Sequence, residues 1–304
     1  MRSFVKGKTG MVMSNKKSKE VWYFFFFTLL WTWGFGFLPL LFNLTGTSLG
    51  TFLFYFGGGA PSVIGLFFVL RTYSAEEKRD YFYRCFSLRL MGYRCVIGLI
   101  CFFTLIALIG VSVGVKILHA PLPEMAFVKL IMEKPWLFPF IIIISILSGP
   151  LNEEFGWRGY ALDKLLDKYG FYGASLILGF IWAIWHLPWY FMPGQAQYDL
   201  LKSSVWEAFL FIPSTILLSF VVSFVYLYTE RSILAGAMTH MLSNLMTSQL
   251  LAPYSTETGT VIRYVEMLFC IVVIIYAMAS KKFNKNLQIQ MDKIRGNCAG
   301  RTGS

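Results

Sequence analysis

Hydrophobic residues gather in eight long runs along the chain, at about 21–42, 51–70, 95–115, 136–151, 171–191, 206–228, 232–251 and 262–280. A helix needs roughly 20 apolar residues to cross the hydrocarbon of a bilayer. The pattern therefore predicts about eight transmembrane helices, the fourth being the shortest. No Ser/Gly/Pro-rich linker and no internal repeat divides the runs. The first, Val21 to Phe42, is too long for the core of a signal peptide and lacks a small-residue cleavage site after it, so it is expected to stay as a helix. The expected division is a basic segment 1–20, a membrane domain 21–280 and a basic tail 281–304.

Composition narrows the class. Of 304 residues 56% are hydrophobic, 18% aromatic and only 14% charged, and the mean hydropathy is +0.59. An average soluble domain is about 25% charged. A soluble enzyme, a disordered chain and a fibrous repeat are excluded. An outer-membrane barrel would show weak alternating strands instead of long apolar runs. The fold class is all-α, a polytopic membrane protein.

The net charge of +11 is read as a distribution across loops, not as a nucleic-acid footprint. With the N-terminus inside, 22 of the 27 Lys and Arg fall in inside segments: 1–20, 71–94, 152–170, Arg231 and 281–304. Lys116, Lys129, Lys134, Lys202 and Arg263 fall outside. Both termini are therefore expected to be cytoplasmic. Lys16, Lys17 and Lys19 at one end, and Lys281, Lys282 and Lys285 at the other, would face anionic headgroups. The five cysteines, Cys85, Cys95, Cys101, Cys270 and Cys298, have no CxxC spacing, so neither a disulfide nor a zinc framework is indicated. Cys298 is not four residues from the end of the sequence, so the tail is not expected to act as a prenylation signal.

Ionisable groups at membrane depth are costly and mark function by default. Three places hold them. Glu153 and Glu154 close the fourth run, ahead of Phe155-Gly156-Trp157-Arg158. Glu154 and Arg158, four apart, can pair on one helix face, which leaves Glu153 as the free carboxylate. The bland alternative is the interfacial start of an amphipathic helix. Gly149-Pro150 just before suggests a break. His186 lies deep in an aromatic run, Phe180-Ile-Trp-Ala-Ile-Trp-His186. Its neighbours are tryptophan N–H groups, which only donate, so a partner from another helix is expected. The tryptophans themselves are read as packing and interface residues. His240 and Asn244, four apart in the seventh run, share a face and can both donate into one small volume. Packing roles would explain each place alone. His119 falls in a predicted outside loop and is read as solvated. Together, the two intramembrane histidines, the carboxylate pair and the asparagine would supply a base, its partner and two oxyanion donors, the inventory for hydrolysing an amide.

These motifs resemble the CPBP family of CAAX proteases and bacteriocin-processing enzymes, also called the Abi family. Glu153-Glu154-Phe-Gly-Trp-Arg158 is similar to its EExxxR motif, Trp182-Ala-Ile-Trp-His186 to FxxxH, and His240-Met-Leu-Ser-Asn244 to HxxxN. The motif core spans 153–244. Trp182 stands where the family usually has phenylalanine. The resemblance implies a glutamate-dependent intramembrane endopeptidase in the bacterial plasma membrane. In it Glu153 and His186 activate water, His240 and Asn244 form the oxyanion hole, and Glu154 with Arg158 supports the site. No cofactor is implied. A zinc enzyme using both histidines and a glutamate is the nearest rival, and a non-catalytic bacteriocin-immunity or scaffold protein is the rival from another class. The expected partners are a membrane-associated, in some cases lipidated, peptide or protein substrate and the bilayer, with no nucleic acid.

One conflict stands in this reading. Glu153 falls near the cytoplasmic end of its run, whereas His186 is about 15 residues past Phe171, or roughly 22 Å deeper. They meet only if the fourth helix tilts or continues past Glu153 within the protein, or the fifth starts outside the membrane.

Overall fold

The structure, a computed structural model, describes residues 2–299, with side chains from Lys19 to Gly296. The side chains of Lys16, Lys17 and Cys298 lie outside the described residues, as do the chain ends at Met1 and 300–304. Among the described residues there is no strand. The elements are α1 (Arg2–Leu41), α2 (Ser48–Gly58), α3 (Ala60–Thr72), α4 (Ala75–Phe86), α5 (Leu88–Met91), α6 (Tyr93–Ile117), α7 (Ala126–Glu133), α8 (Phe138–Leu147) and α9 (Pro150–Gly156). They continue with α10 (Asp163–Trp185), α11 (Ala196–Ser203), α12 (Val205–Tyr228), α13 (Ile233–Asn244), α14 (Thr256–Ala279) and α15 (Lys281–Ala299). Five helical stretches are long and apolar enough to cross a membrane, or six if α2 and α3, bent by 46°, count as one span.

The hydrophobic runs are thus all helical, but several are interrupted. In the second run the chain bends at Gly59, just ahead of Pro61 near the start of α3. The fourth run breaks at Gly149, and α9 starts on Pro150, whose missing N–H would have been unpaired there anyway. The polar segments also hold helices. α4 is amphipathic and opens with a capping box, Ser74 N–H to Glu77 Oε2 at 2.8 Å and Glu77 N–H to Ser74 Oγ at 3.2 Å. His119 is exposed, in a loop. Cys85, Cys95, Cys101 and Cys270 are free thiols.

The depth conflict resolves in the segment after Glu153. The helix does not end there. It runs on through a π-helical stretch, Trp157–Leu162, every residue of which is buried, and into α10. At Gly170, with φ 64°, the helical path breaks. Only glycine adopts that conformation without strain. The chain then returns, because Glu153 meets Trp182, and the Trp157 and Trp185 rings lie 6.2 Å apart. Glu153 stands seventeen residues before Gly170 and His186 sixteen after it. Two arms of nearly equal length bring both to one level, about 25 Å from the turn.

Glycine also sets the first arm against α3. A Cβ on Gly65 would sit 2.7 Å from the Cα of Gly156, and one on Gly156 would run into the Pro61 carbonyl. The two backbones touch, and Ser62 Oγ donates to the Leu151 carbonyl across the contact at 2.7 Å.

Near the Gly170 turn, a buried ionic cluster ties the helix ends together. Asp163 Oδ2 pairs with Arg231 at 2.6 Å, and Asp163 Oδ1 accepts from Tyr226 OH at 2.7 Å. Arg84 donates to Tyr226 OH at 2.7 Å and to Asp80 at 2.8 Å. Arg84 is 3% exposed and Arg231 5%. Beside Arg84, burial pushes the Cys85 thiol up to about 12, which makes it a packing residue and not a nucleophile.

Candidate active site

Several elements converge on one cavity of about 970 Å³, among them α9, the end of α10, the first part of α12, the end of α13 and the start of α14. Glu153, His186, His240 and Asn244 all line it. Glu154 and Arg158 lie beneath, both fully buried.

Glu154 and Arg158 pair as the i,i+4 spacing predicts, at 3.0 Å. Such a pair is costly in a dry interior unless its remaining hydrogen-bonding groups find partners, and Arg158 Nε finds none. Arg158 Nη2 donates to Ser219 Oγ at 3.2 Å, and its guanidinium lies 4.9 Å from the Trp182 ring centroid. Glu154 Oε1 lies 3.1 Å from His240 Nδ1. A carboxylate already paired with arginine can only accept, so Nδ1 carries the proton. That fixes the ring and turns Nε2 away from Glu154.

Glu153, 5% exposed, is held at one oxygen: Oε2 accepts from the Trp182 indole N–H at 2.6 Å. Its other oxygen lies beside Gly149, where no side chain intervenes; a Cβ there would sit 3.4 Å from Oε1.

His186 finds its partner within its own helix, not on another helix as the sequence reading expects. α10 ends at Trp185, and the His186 N–H turns back to Ala183 O, so the Trp182 carbonyl is left over. The ring takes it, with Nδ1 2.8 Å from Trp182 O. A carbonyl only accepts, so Nδ1–H is the donor and Nε2 is left with a lone pair. Trp185 and Phe211 meet the ring edge-on, with centroids 4.6 and 5.0 Å away.

Asn244 closes α13 and is half-buried, next to a second π-helical stretch, Leu245–Gln249. Just before it, Ser243 Oγ donates to Glu266 on α14 at 2.6 Å, which ties the end of α13 to the neighbouring helix. The carboxylate pair and the His240–Asn244 pair thus each lead into a π-helical stretch, a form that recurs at functional sites.

Trp182 is the residue that the sequence reading assigned to packing and that the geometry puts at the centre. Its indole holds Glu153, its carbonyl holds His186, and its ring meets His240 edge-on with centroids 4.9 Å apart. The signal was available: a buried carboxylate needs a donor, and the indole N–H one turn before His186 can only donate. Among the described residues no three His, Cys, Asp or Glu side chains gather as a metal ion would need.

Residues 135–246 match the family described as type II CAAX prenyl endopeptidase Rce1-like. The chain is also similar to CAAX prenyl protease 2 of Methanococcus maripaludis, with 23% identity over 266 residues that cover 88% of this chain and 96% of that protein. The matched segment holds Glu153, Glu154, Arg158, His186, His240 and Asn244. Over this segment the chain is similar to Rce1-like CAAX endopeptidases, and its long apolar helices fit a protease embedded in the membrane.

Proposed function

We propose that this protein hydrolyses peptide bonds of membrane-associated peptides or proteins, lipidated ones among them, with water activated by Glu153 and His186 and without a metal. The observation that carries the reading is the shared cavity, in which Glu153, His186, His240 and Asn244 face one space. Glu153 Oε1 takes the proton as water adds to the carbonyl carbon, and His186 Nε2 accepts the water's other hydrogen bond and orients it. The oxygen that becomes negative is met by the Asn244 amide N–H and by His240 Nε2–H. Because Nδ1 of His240 already donates to Glu154, Nε2 can donate only when the ring is an imidazolium. Glu154 supports that charge. Collapse of the tetrahedral species breaks the C–N bond, and Glu153 returns its proton to the leaving amine.

Two charges then face two: Glu153 and Glu154 against Arg158 and imidazolium His240. The protein is expected to work in the plasma membrane with both termini cytoplasmic. The test uses purified protein in detergent with a quenched peptide in prenylated and unprenylated forms, each with and without a chelator. Cleavage that survives chelation supports the metal-free reading. Activity lost to the chelator and restored by zinc overturns it. Equal rates on the two peptides remove the lipid from substrate recognition.

A further inference from the structure

The cavity has a side, and the chain's charges have a side, and the two are opposite. α12 and α14 line the cavity from their N-terminal sides, from Glu207 to Leu218 and from Thr256 to Glu266. α10 and α13 line it with their last turns. The loops that reach it are the segment around Gln195 and the segment from Ala252 to Ser255. The Gly170 turn lies at the other end. There Arg295 on α15 meets Asp167 at 3.3 Å, Lys293 meets Glu230 at 3.0 Å, and the Arg84–Asp163–Arg231 cluster closes the end of α12.

Lysine and arginine divide along the same axis. Arg71, Lys78, Arg79, Arg89, Arg94, Lys168 and the basic residues of α15 belong to segments at the Gly170 end. Those at the cavity end are Lys116, Lys129, Lys134, Lys202 and Arg263. Arg263 is not free, since it donates to Glu207. Arg84, Arg158 and Arg231 are committed to buried partners, and the imbalance holds without them. Positive charge is retained on the cytoplasmic side. The arm from Gly170 to the site is about 25 Å long, against a hydrocarbon core of about 30 Å. The site therefore lies close to the far boundary.

We propose that the cavity opens on the extracytoplasmic face, and that the substrate is the extracytoplasmic end of a membrane-inserted or exported peptide. A tail anchored to the cytoplasmic leaflet would reach the closed, charged end of the fold. This rests on the proposed peptidase reading for its chemistry, but the sidedness stands on charge and geometry alone.

The experiment places single cysteines in intact cells of a Cys298→Ser background, which alone gives the labelling baseline. Thr256→Cys is at the cavity mouth and Lys285→Cys on α15; both positions are exposed. A membrane-impermeant maleimide is expected to label Thr256→Cys in intact cells, and Lys285→Cys only after lysis. Labelling of Lys285→Cys in intact cells, or of Thr256→Cys only after lysis, overturns the assignment. A second arm compares peptides released into the medium by cells carrying the unaltered chain or Glu153→Gln. Products that depend on Glu153 are expected in the medium. Their appearance only inside the cell overturns the sidedness, whereas products insensitive to Glu153 on both sides overturn the peptidase reading instead.

Discussion

The indole N–H of Trp182 donates to Glu153 Oε2 at 2.6 Å, across twenty-nine residues of sequence and inside a buried site. The bond fixes one carboxylate oxygen and leaves the other beside Gly149, facing the cavity. A hydrogen bond to a charged group contributes about 1.5–3 kcal/mol. Trp182→Phe keeps a ring for Arg158 and His240 and removes only the donor. Turnover is expected to fall about 10- to 100-fold, with KM and melting temperature little changed, because Trp182 is 2% exposed and can barely touch substrate. Steady-state kinetics with a thermal melt on the same preparation checks this. An unchanged turnover would show that the bond is incidental.

Arg158 and Glu154 act through the buried pair. Arg158→Ala takes the arginine from Glu154 and leaves it only the His240 contact, with no water to solvate it, a loss of about 3–5 kcal/mol. The expected outcome is poor folding as well as low activity, read from yield and melting temperature. Glu154→Gln is milder on folding but removes the charge that faces His240. Its turnover is expected to drop at nearly constant melting temperature, and equal activity would contradict the imidazolium role.

Asn244→Ala tests the oxyanion donor. Loss of one such donor costs about 10²–10³ in turnover. Asn244 is half-buried at the end of α13, and substrate binding is expected to survive the substitution. Single-turnover kinetics separates the two quantities. A rise in KM alone would assign Asn244 to binding.

Asp163→Asn probes the far end of the fold. The substitution strips the shared anion from Arg84 and Arg231, which are both nearly fully buried. Stability is expected to fall by about 3–5 kcal/mol, as a lowered melting temperature in detergent. Activity per folded molecule is expected to hold, because the cluster is far from the cavity.

The sequence carried the helical class through its apolar runs, and the polar residues that now line the cavity through their scarcity in such runs. Glu154 and Arg158 were legible as a pair because helix spacing alone puts them on one face. The meeting of Glu153 with His186 was not, because run length reports depth only for straight spans. Here a glycine at positive φ turns the chain between two arms, and the first arm is the segment 152–170 that lies between two apolar runs. The role of Trp182 was hidden for a related reason. Tryptophan is common near membrane boundaries, and its donor counts only once a partner from another arm is in place. The partner of His186 was misjudged because the end of α10, which frees a carbonyl, left no mark in the hydrophobic pattern.

The central claim is that Glu153 is the base, and one substitution tests it most directly. Glu153→Gln keeps the shape and can still accept from the Trp182 indole, but it cannot take a proton. Turnover of a peptide substrate is measured for both forms in the same detergent, with matched melting temperatures. The account predicts a fall of about 10²–10⁴. A rate within a few-fold of the unaltered protein would contradict it.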